Sequence, residues 1–340
     1  MDNYIGLDAH SKTCTFVVMN KDGEILREGK INTSDRNLKD LARSIPGTKA
    51  LVLEETNVAQ WMYCVLKDEV DKLIVCHAAH LPKKSGPKND YRDALHLCMQ
   101  LRAGNLTEVF HEDSELMNLR TIVSHYEGTA VRLSVLKQNF KAVLRSQGIS
   151  SQSSHLTSRN EQKWQEITNP TKRFVAQRIF EEMKELELRK EKYAEEFKTN
   201  RFNMPLIKNL GSVPGVGPVR AHAIAAYIST GHRFENKHKL WAYAKLVRHH
   251  DESDGYILRK RTPHGRSELK NAFMGAAQRV IISPADTALK DYYKHLMEDK
   301  NVDKRKANKA LARKIAAICL VIMKKGTKYD DDVVRKSFED

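Results

Sequence analysis

The amino-acid sequence predicts an α/β domain followed by a mostly helical remainder. Three observations carry this reading: strand-forming runs joined by an Asp-Gly turn open the chain, a short unbroken apolar run follows at Ala50-Leu51-Val52-Leu53, and from Ser114 onward apolar residues recur at helical spacing. Tyr4, Ile5 and Leu7 make a first strand, in which Gly6 admits a close backbone neighbour and Asp8 stands at the end. Residues 13–19 are β-branched and apolar, as a neighbouring strand would be. Asn20-Lys21-Asp22-Gly23 turns the chain into residues 24–32, where Ile25 and Ile31 are apolar members of an alternating strand. A short helix follows, capped by Ser34 or Asp35, with Leu38, Leu41 and Ala42 on one face. The run at 50–53 suits a strand buried on both faces and ends in Glu54-Glu55-Thr56. Residues 58–68 form a second helix, 72–76 a fifth strand and 88–102 a third helix that carries Asp90 and Asp93.

Three strands, helix, strand, helix, strand, helix is the element order of a ribonuclease-H-like domain. In that order the ends of the first and fourth strands and the last helix converge, which gathers Asp8, Glu54, Asp90 and Asp93. Asp90 and Asp93 lie three residues apart, so both project from one helix face. Four carboxylates in one pocket repel one another, and divalent cations relieve that repulsion. Mg²⁺ fits an all-oxygen donor set that is completed by water and substrate phosphate, and one or two such ions can polarise a phosphodiester. Taken singly, each acid has a plain structural alternative as a cap, a rim residue or part of a solvated helix face.

The 340 residues leave room for two or three domains, and the net charge of +15, from 58 Lys and Arg against 43 Asp and Glu, favours a polyanionic partner, nucleic acid before membrane. Five scattered cysteines, with no Cys-x-x-Cys pair, suit a reducing cytosol and argue against a disulfide framework or structural zinc. The longest late apolar run, 315–323, lies between Lys314 and Lys324 and is too short to span a bilayer. A soluble, cytoplasmic protein that associates with the nucleoid, in a bacterium or archaeon, is expected, with no membrane partner.

Residues 114–148 read as a helix with a broad apolar stripe, Gly148 as its stop, and Arg120 and Lys141 among the cations of its polar side. Residues 150–159 read as a linker, and 171–202 as a second long helix. Its mixed charges at 181–196 surround Met183, Leu186, Leu188 and Tyr193 and suit pairing with a partner helix. Val213-Pro214-Gly215-Val216-Gly217-Pro218 matches a helix-hairpin-helix element, whose backbone N–H groups at Gly215 and Gly217, with Arg220 nearby, can hold a phosphate. A plain glycine turn between packed helices is the alternative. Residues 249–255 read as a polar loop. Downstream, Arg259, Lys260, Arg261, Arg266 and Lys270 crowd into one phosphate-contacting window, and helices at 265–282, 285–299 and 304–324 precede a mixed-charge tail.

With these motifs located, the chain resembles the DEDD insertion-sequence transposases, the bridge-RNA-guided serine recombinases whose relatives include Piv-type DNA invertases. The matching residues are Ile5-Gly6-Leu7-Asp8-Ala9-His10-Ser11-Lys12, then Leu53-Glu54-Glu55-Thr56, then Asn89-Asp90-Tyr91-Arg92-Asp93-Ala94, and in the C-terminal part Val213 to Gly217, Gly265 through Leu269-Lys270, and Ala276-Ala277. Alignment on Thr56 makes Glu54 the family acid. The family's catalytic loop reads Glu252-Ser253-Asp254-Gly255 here, with Ser253 where the first serine falls, Asp254 in place of the second, and Lys270 where the family commonly has Arg.

The resemblance implies a RuvC-like DEDD domain at 1–108, a helical coiled-coil dimerisation region at 109–204, a C-terminal transposase domain carrying the serine at 205–328, and a tail at 329–340. It implies that Ser253 attacks DNA to form a covalent phosphoserine link, acting with the Mg²⁺-binding acids of another subunit. It further implies donor and target DNA chosen by a structured non-coding guide RNA, and a homodimer that pairs into a tetramer. Site-specific inversion by a member of the same family, and a nucleic-acid-binding relative without activity, remain open. The sugar-kinase and actin-like fold also begins with a Gly-x-Asp strand, but its further glycine-rich phosphate loops and duplicated domain are absent from this sequence.

Overall fold

The computed structural model describes residues 1–77, 81–82, 89–150, 163–199, 204–253 and 256–336. The chain divides into two compact units, Met1–Ser114 and Glu115–Asp340.

The first unit holds strands β1 (Asn3–Ala9), β2 (Thr13–Asn20), β3 (Ile25–Asn32), β4 (Lys49–Glu54) and β5 (Lys72–Cys76), with helices α1 (Asp35–Arg43), α2 (Ala59–Leu66) and α3 (Asp90–Ala103). The sheet order is β3-β2-β1-β4-β5. The first three strands are antiparallel, and β4 and β5 run parallel to β1. Side-chain alternation sends Ile5, Leu7 and Ala9 into one layer with Leu38, Leu41 and Met62 of α1 and α2. The opposite face meets α3, where Val17 and Met19 pack on Ala94 and Cys98, and Val52 and Ile74 on Leu97 and Leu101. Ser34 caps α1 by accepting from the Asn37 N–H, and Asn89 caps α3 by accepting from that of Tyr91. The elements expected from the sequence are all here, with helix ends moved by one or two residues.

The second unit opens with α4 (Glu115–Arg145) and α5 (Pro170–Glu196). They run antiparallel, with the Phe140 and Phe180 ring centroids 6.0 Å apart and those of Tyr126 and Phe197 5.5 Å apart, both pairs tilted. Two expectations change. The second long helix ends at Glu196 rather than 202, and its buried Met183 and Leu186 pack with Phe140 and Leu144 of α4, so this apolar face finds its partner helix within the chain. The linker expected at 150–159 lies, after residue 150, outside the described residues. Leu119 and Val123 of α4 enter the same core as the C-terminal helices.

Next come α6 (Pro205–Gly211), α7 (Pro218–Ile228), α8 (Lys237–Tyr243), β6 (His249–Ser253), β7 (Tyr256–Arg261), α9 (Ser267–Ile282), α10 (Ala288–Glu298), α11 (Lys304–Lys325) and α12 (Asp331–Lys336). The segment read as a polar loop is therefore a strand up to Ser253. It is antiparallel to β7, with His249 opposite Arg261 and Ser253 opposite Tyr256. Its own side chains have weak strand propensity, and the pairing supplies the order that local sequence lacks. Part of the expected tail is likewise helical: α12 packs on α10 through Arg335, whose guanidinium bonds Asp291 and, at 3.1 Å, Asp331. None of the five cysteines is in a disulfide, and no described helix is long and apolar enough to cross a membrane.

Candidate active site

The site is built on the face of β1 that looks at α3. Gly6 makes it possible: a Cβ there would lie 2.1 Å from the Ala94 carbonyl oxygen and 2.6 Å from the Cys98 nitrogen, so only glycine lets the helix backbone seat on the strand. With α3 seated this way, its first turn, carrying Asp90 and Asp93, comes to the end of β1 where Asp8 stands. Ligand atoms of Asp8, His10 and Asp90 all lie within 4.8 Å of one another. His10 Nε2 is 3.2 Å from Asp8 Oδ2, and the Lys30 ammonium donates to Asp90 Oδ2 at 3.3 Å.

In the parallel ladder Leu7 pairs with Leu53, the residues that immediately precede Asp8 and Glu54. Across the antiparallel side, Asp8 pairs with Thr15 and Thr15 with Lys30. A cross-strand row of Lys30, Thr15 and Asp8 therefore runs toward the start of α3, where Lys30 meets Asp90. Glu55, one residue after Glu54, has its Oε2 2.6 Å from Nε2 of the buried His111.

Asp8 is buried, and burial pushes its carboxyl above the ordinary aspartate range; His10 pulls it back, while the Asp93 and Asp90 charges push it further up. Asp93 is therefore coupled electrostatically to Asp8, although the compact trio consists of Asp8, His10 and Asp90. Two carboxylates and an imidazole within reach of one another suit a divalent cation such as Mg²⁺ or Mn²⁺, because a cation offsets the burial and the neighbouring charges that raise Asp8. His10 was visible in the sequence only as part of a motif. The Asp8-x-His10 spacing, which puts both side chains on one strand face, is the signal that identifies it.

In the second unit, Ser253 closes β6 beside the turn into β7, while its side chain and those of Arg259 and Lys260 lie outside the described residues, as do Asp254 and Gly255. Arg261 and Lys270 are exposed. Arg266 turns inward: its guanidinium lies 5.9 Å from the Tyr227 ring centroid and bonds Tyr243. Burial alone would raise the Tyr243 phenol, but Arg233 and Arg266 outweigh it and lower the pKa. Arg220 donates to the Gly215 carbonyl at 3.2 Å, and Arg120 to that of Ala226 at 3.1 Å. Lys141 is half-buried on α4. Gly215 has φ +83°, and a Cβ on it would lie 2.3 Å from the Ala276 oxygen of α9, whereas Gly217 faces open space at the start of α7.

Two family models match the chain. A model of the IS110 DEDD transposases, described as a transposase, matches residues 5–148 and so contains Asp8, Glu54, Asp90 and Asp93. A second, described as the transposase IS116/IS110/IS902 family, matches residues 207–294 and contains the glycine turn and Ser253. No curated protein matches the chain at a significant level. The two matches follow one another in order along a single chain whose first unit gathers Asp8 and Asp90, and the chain belongs to the DEDD insertion-sequence transposases of the IS110 family.

Proposed function

We propose that the protein is an RNA-guided DNA recombinase of a mobile insertion sequence, which exchanges donor and target strands through a covalent Ser253–DNA intermediate. The observation that carries the reading is the meeting of Asp8 with Asp90 at the end of β1, with Asp93 coupled to them and Glu54 one register step away. The sheet order and the placement of α3 support a ribonuclease-H-like, RuvC-like first domain. The short α6–turn–α7 unit, with its open Gly217, supports a helix-hairpin-helix element for backbone phosphate.

Asp8, Glu54, Asp90 and Asp93, with His10, would hold one or two divalent ions, Mg²⁺ first. Such ions supply charge neutralisation at the scissile phosphate and at the attacking and leaving oxygens. The chain's own residues do the rest. Lys30 offsets the charge of Asp90, Gly6 sets the spacing of the acids, and the serine hydroxyl supplies the nucleophile, conserving a phosphoester bond so that strand exchange needs no external energy. The acids of one subunit acting with Ser253 of another would make the active form an oligomer, a dimer that pairs into a tetramer on guide RNA and both DNA partners.

The test is the covalent adduct. Purified protein with its co-purifying RNA and donor and target DNA should form a protein–DNA adduct that Ser253→Ala abolishes without loss of binding. Mixing Ser253→Ala with Asp8→Asn should restore part of the strand exchange. A persistent adduct in Ser253→Ala would exclude Ser253 as the nucleophile, and binding unaffected by moderate salt would remove the nucleic-acid reading of the basic surfaces.

A further inference from the structure

Within the second unit, α8, α10, α11 and α12 line an open cavity of about 920 Å³, within the range of ligand-sized pockets. It shares no residue with the acidic site or with Ser253, and most of its lining falls after residue 294, beyond both family matches. Its chemistry is unusual for a structural void. Five cations line it, Lys237, Arg313, Lys314, Lys325 and Lys328, against one acid, Asp330. Three aromatic rings line it too: Trp241, Tyr292 and Tyr329.

Two of the rings are held in place by hydrogen bonds. Trp241 Nε1 donates to the Arg313 carbonyl at 2.8 Å, and Tyr329 Oη donates to Asp331 Oδ1 at 2.7 Å. The α12 wall is pinned to α10, because Asp331 accepts from the Ala288 N–H at 3.0 Å while Arg335 bonds both Asp331 and Asp291. The cations lie over the rings, where an incoming base would displace them toward its phosphate: Lys237 Nζ and the Arg313 guanidinium are each 5.7 Å from the Trp241 centroid, and Lys314 Nζ is 5.8 Å from that of Tyr292. Exposed Val321 and Val333 add apolar surface. Burial, with the nearby Lys237 charge, pushes the Lys314 ammonium down, so an incoming anion would relieve this wall.

We propose that this cavity binds a nucleotide, with its base against the Trp241 and Tyr292 rings and its phosphate on the lysines. The pairing of aromatic faces with several cations selects a ligand that is planar and anionic at once, which an acyl chain or an acidic peptide is not. An unpaired nucleotide of a bound RNA or DNA strand supplies that chemistry, as does a free mononucleotide. A base within a duplex is stacked and must be extruded before it can reach a ring.

The test uses the full-length protein and fluorescence anisotropy with three probes: a uridine-rich single strand, a perfectly paired duplex and UMP as competitor. Tyr292→Ala should weaken the single strand about tenfold, Tyr292→Phe should restore it, and duplex affinity should stay within about twofold. Loss of single-strand competition by UMP in Tyr292→Ala would place a free nucleotide in the same pocket. Equal weakening of single strand and duplex, or no weakening of either, would overturn the proposal. A second readout does not depend on that variant folding: a strand carrying 5-iodouracil should crosslink to Trp241, Tyr292 or Tyr329, and crosslinks confined to other residues would also overturn it. Because both readouts are binding measurements, the pocket can fail while strand exchange through Ser253 stands, and the reverse.

Discussion

Glu55 Oε2 lies 2.6 Å from His111 Nε2, while the residue before it, Glu54, follows Leu53, the ladder partner of the Leu7 that precedes Asp8. The proposed recombinase therefore gives the two adjacent glutamates different duties. Glu54→Gln is expected to abolish strand exchange while leaving the fold intact. Glu55→Gln should retain activity within about tenfold and cost roughly 1 kcal/mol, the worth of one weakened hydrogen bond. Adduct formation and urea denaturation of both variants check the pair, and the reverse pattern would exchange their roles.

Asp8 is a buried carboxylate among other carboxylates, so it costs stability when no cation is bound. Asp8→Asn should stabilise the metal-free protein by on the order of 1 kcal/mol and remove the rise in melting temperature that MgCl₂ or MnCl₂ gives the wild type. His10→Ala should reduce the response to Mn²⁺ more than the response to Mg²⁺, since imidazole is the softer donor. Thermal melts with and without EDTA read all three.

Gly6→Ala places a methyl group 2.1 Å from the Ala94 oxygen, so α3 must withdraw from β1. A loss of about 2–3 kcal/mol is expected. Activity should fall even where the protein stays folded, because Asp90 and Asp93 travel with the helix. Wild-type stability in this variant would show that α3 can seat elsewhere.

Gly215 and Gly217 separate packing from ligand contact. At Gly215 the positive φ and the 2.3 Å approach to Ala276 predict a loss of about 3 kcal/mol on change to alanine. Gly217→Ala meets no neighbour and should leave stability within about 0.5 kcal/mol. If the turn holds phosphate, Gly217→Ala should still weaken DNA binding, which a filter or anisotropy assay would detect.

Two carboxyl groups of the second unit give pH responses of opposite sign. Burial raises Glu127, against a 2.6 Å hydrogen bond from Tyr227 Oη, with Glu268 adding to the rise. Its contribution is thus full below the ordinary value of 4.5 and lost as pH rises through the folded value, so Glu127→Gln should gain stability over wild type on going from pH 4 to pH 7. Asp331 is raised by burial but lowered overall by Tyr329, the Ala288 N–H and Arg335. Its contribution is present above 3.8 and lost as pH falls through the lower folded value, so the penalty of Asp331→Asn should be largest near neutrality and vanish in acid. Denaturant titrations at several pH values test both signs.

Much of the first unit was legible from residues 1–108 because its signals are local: strand alternation, an Asp-Gly turn, a cap at Ser34 or Asp35, and a glycine in β1 that admits a close backbone neighbour. Asp8, Glu54, Asp90 and Asp93 could be singled out because each sits at an element end whose position follows from those signals. The sequence alone did not decide which atoms come within reach of one another. That His10 joins Asp8 and Asp90, that Lys30 bonds Asp90, and that His111 engages Glu55 all depend on contacts between residues far apart in the chain or on the aim of one side chain. In the second unit, tertiary pairing converted the polar segment at 249–253 into a strand, turned Arg266 inward onto Tyr227 and Tyr243, and brought the lysines of α11 beside the rings of α8 and α10. Propensity and periodicity describe how a segment relates to itself and to an average core, whereas a site is a set of distances between segments, and those are decided only when the helices and strands pack.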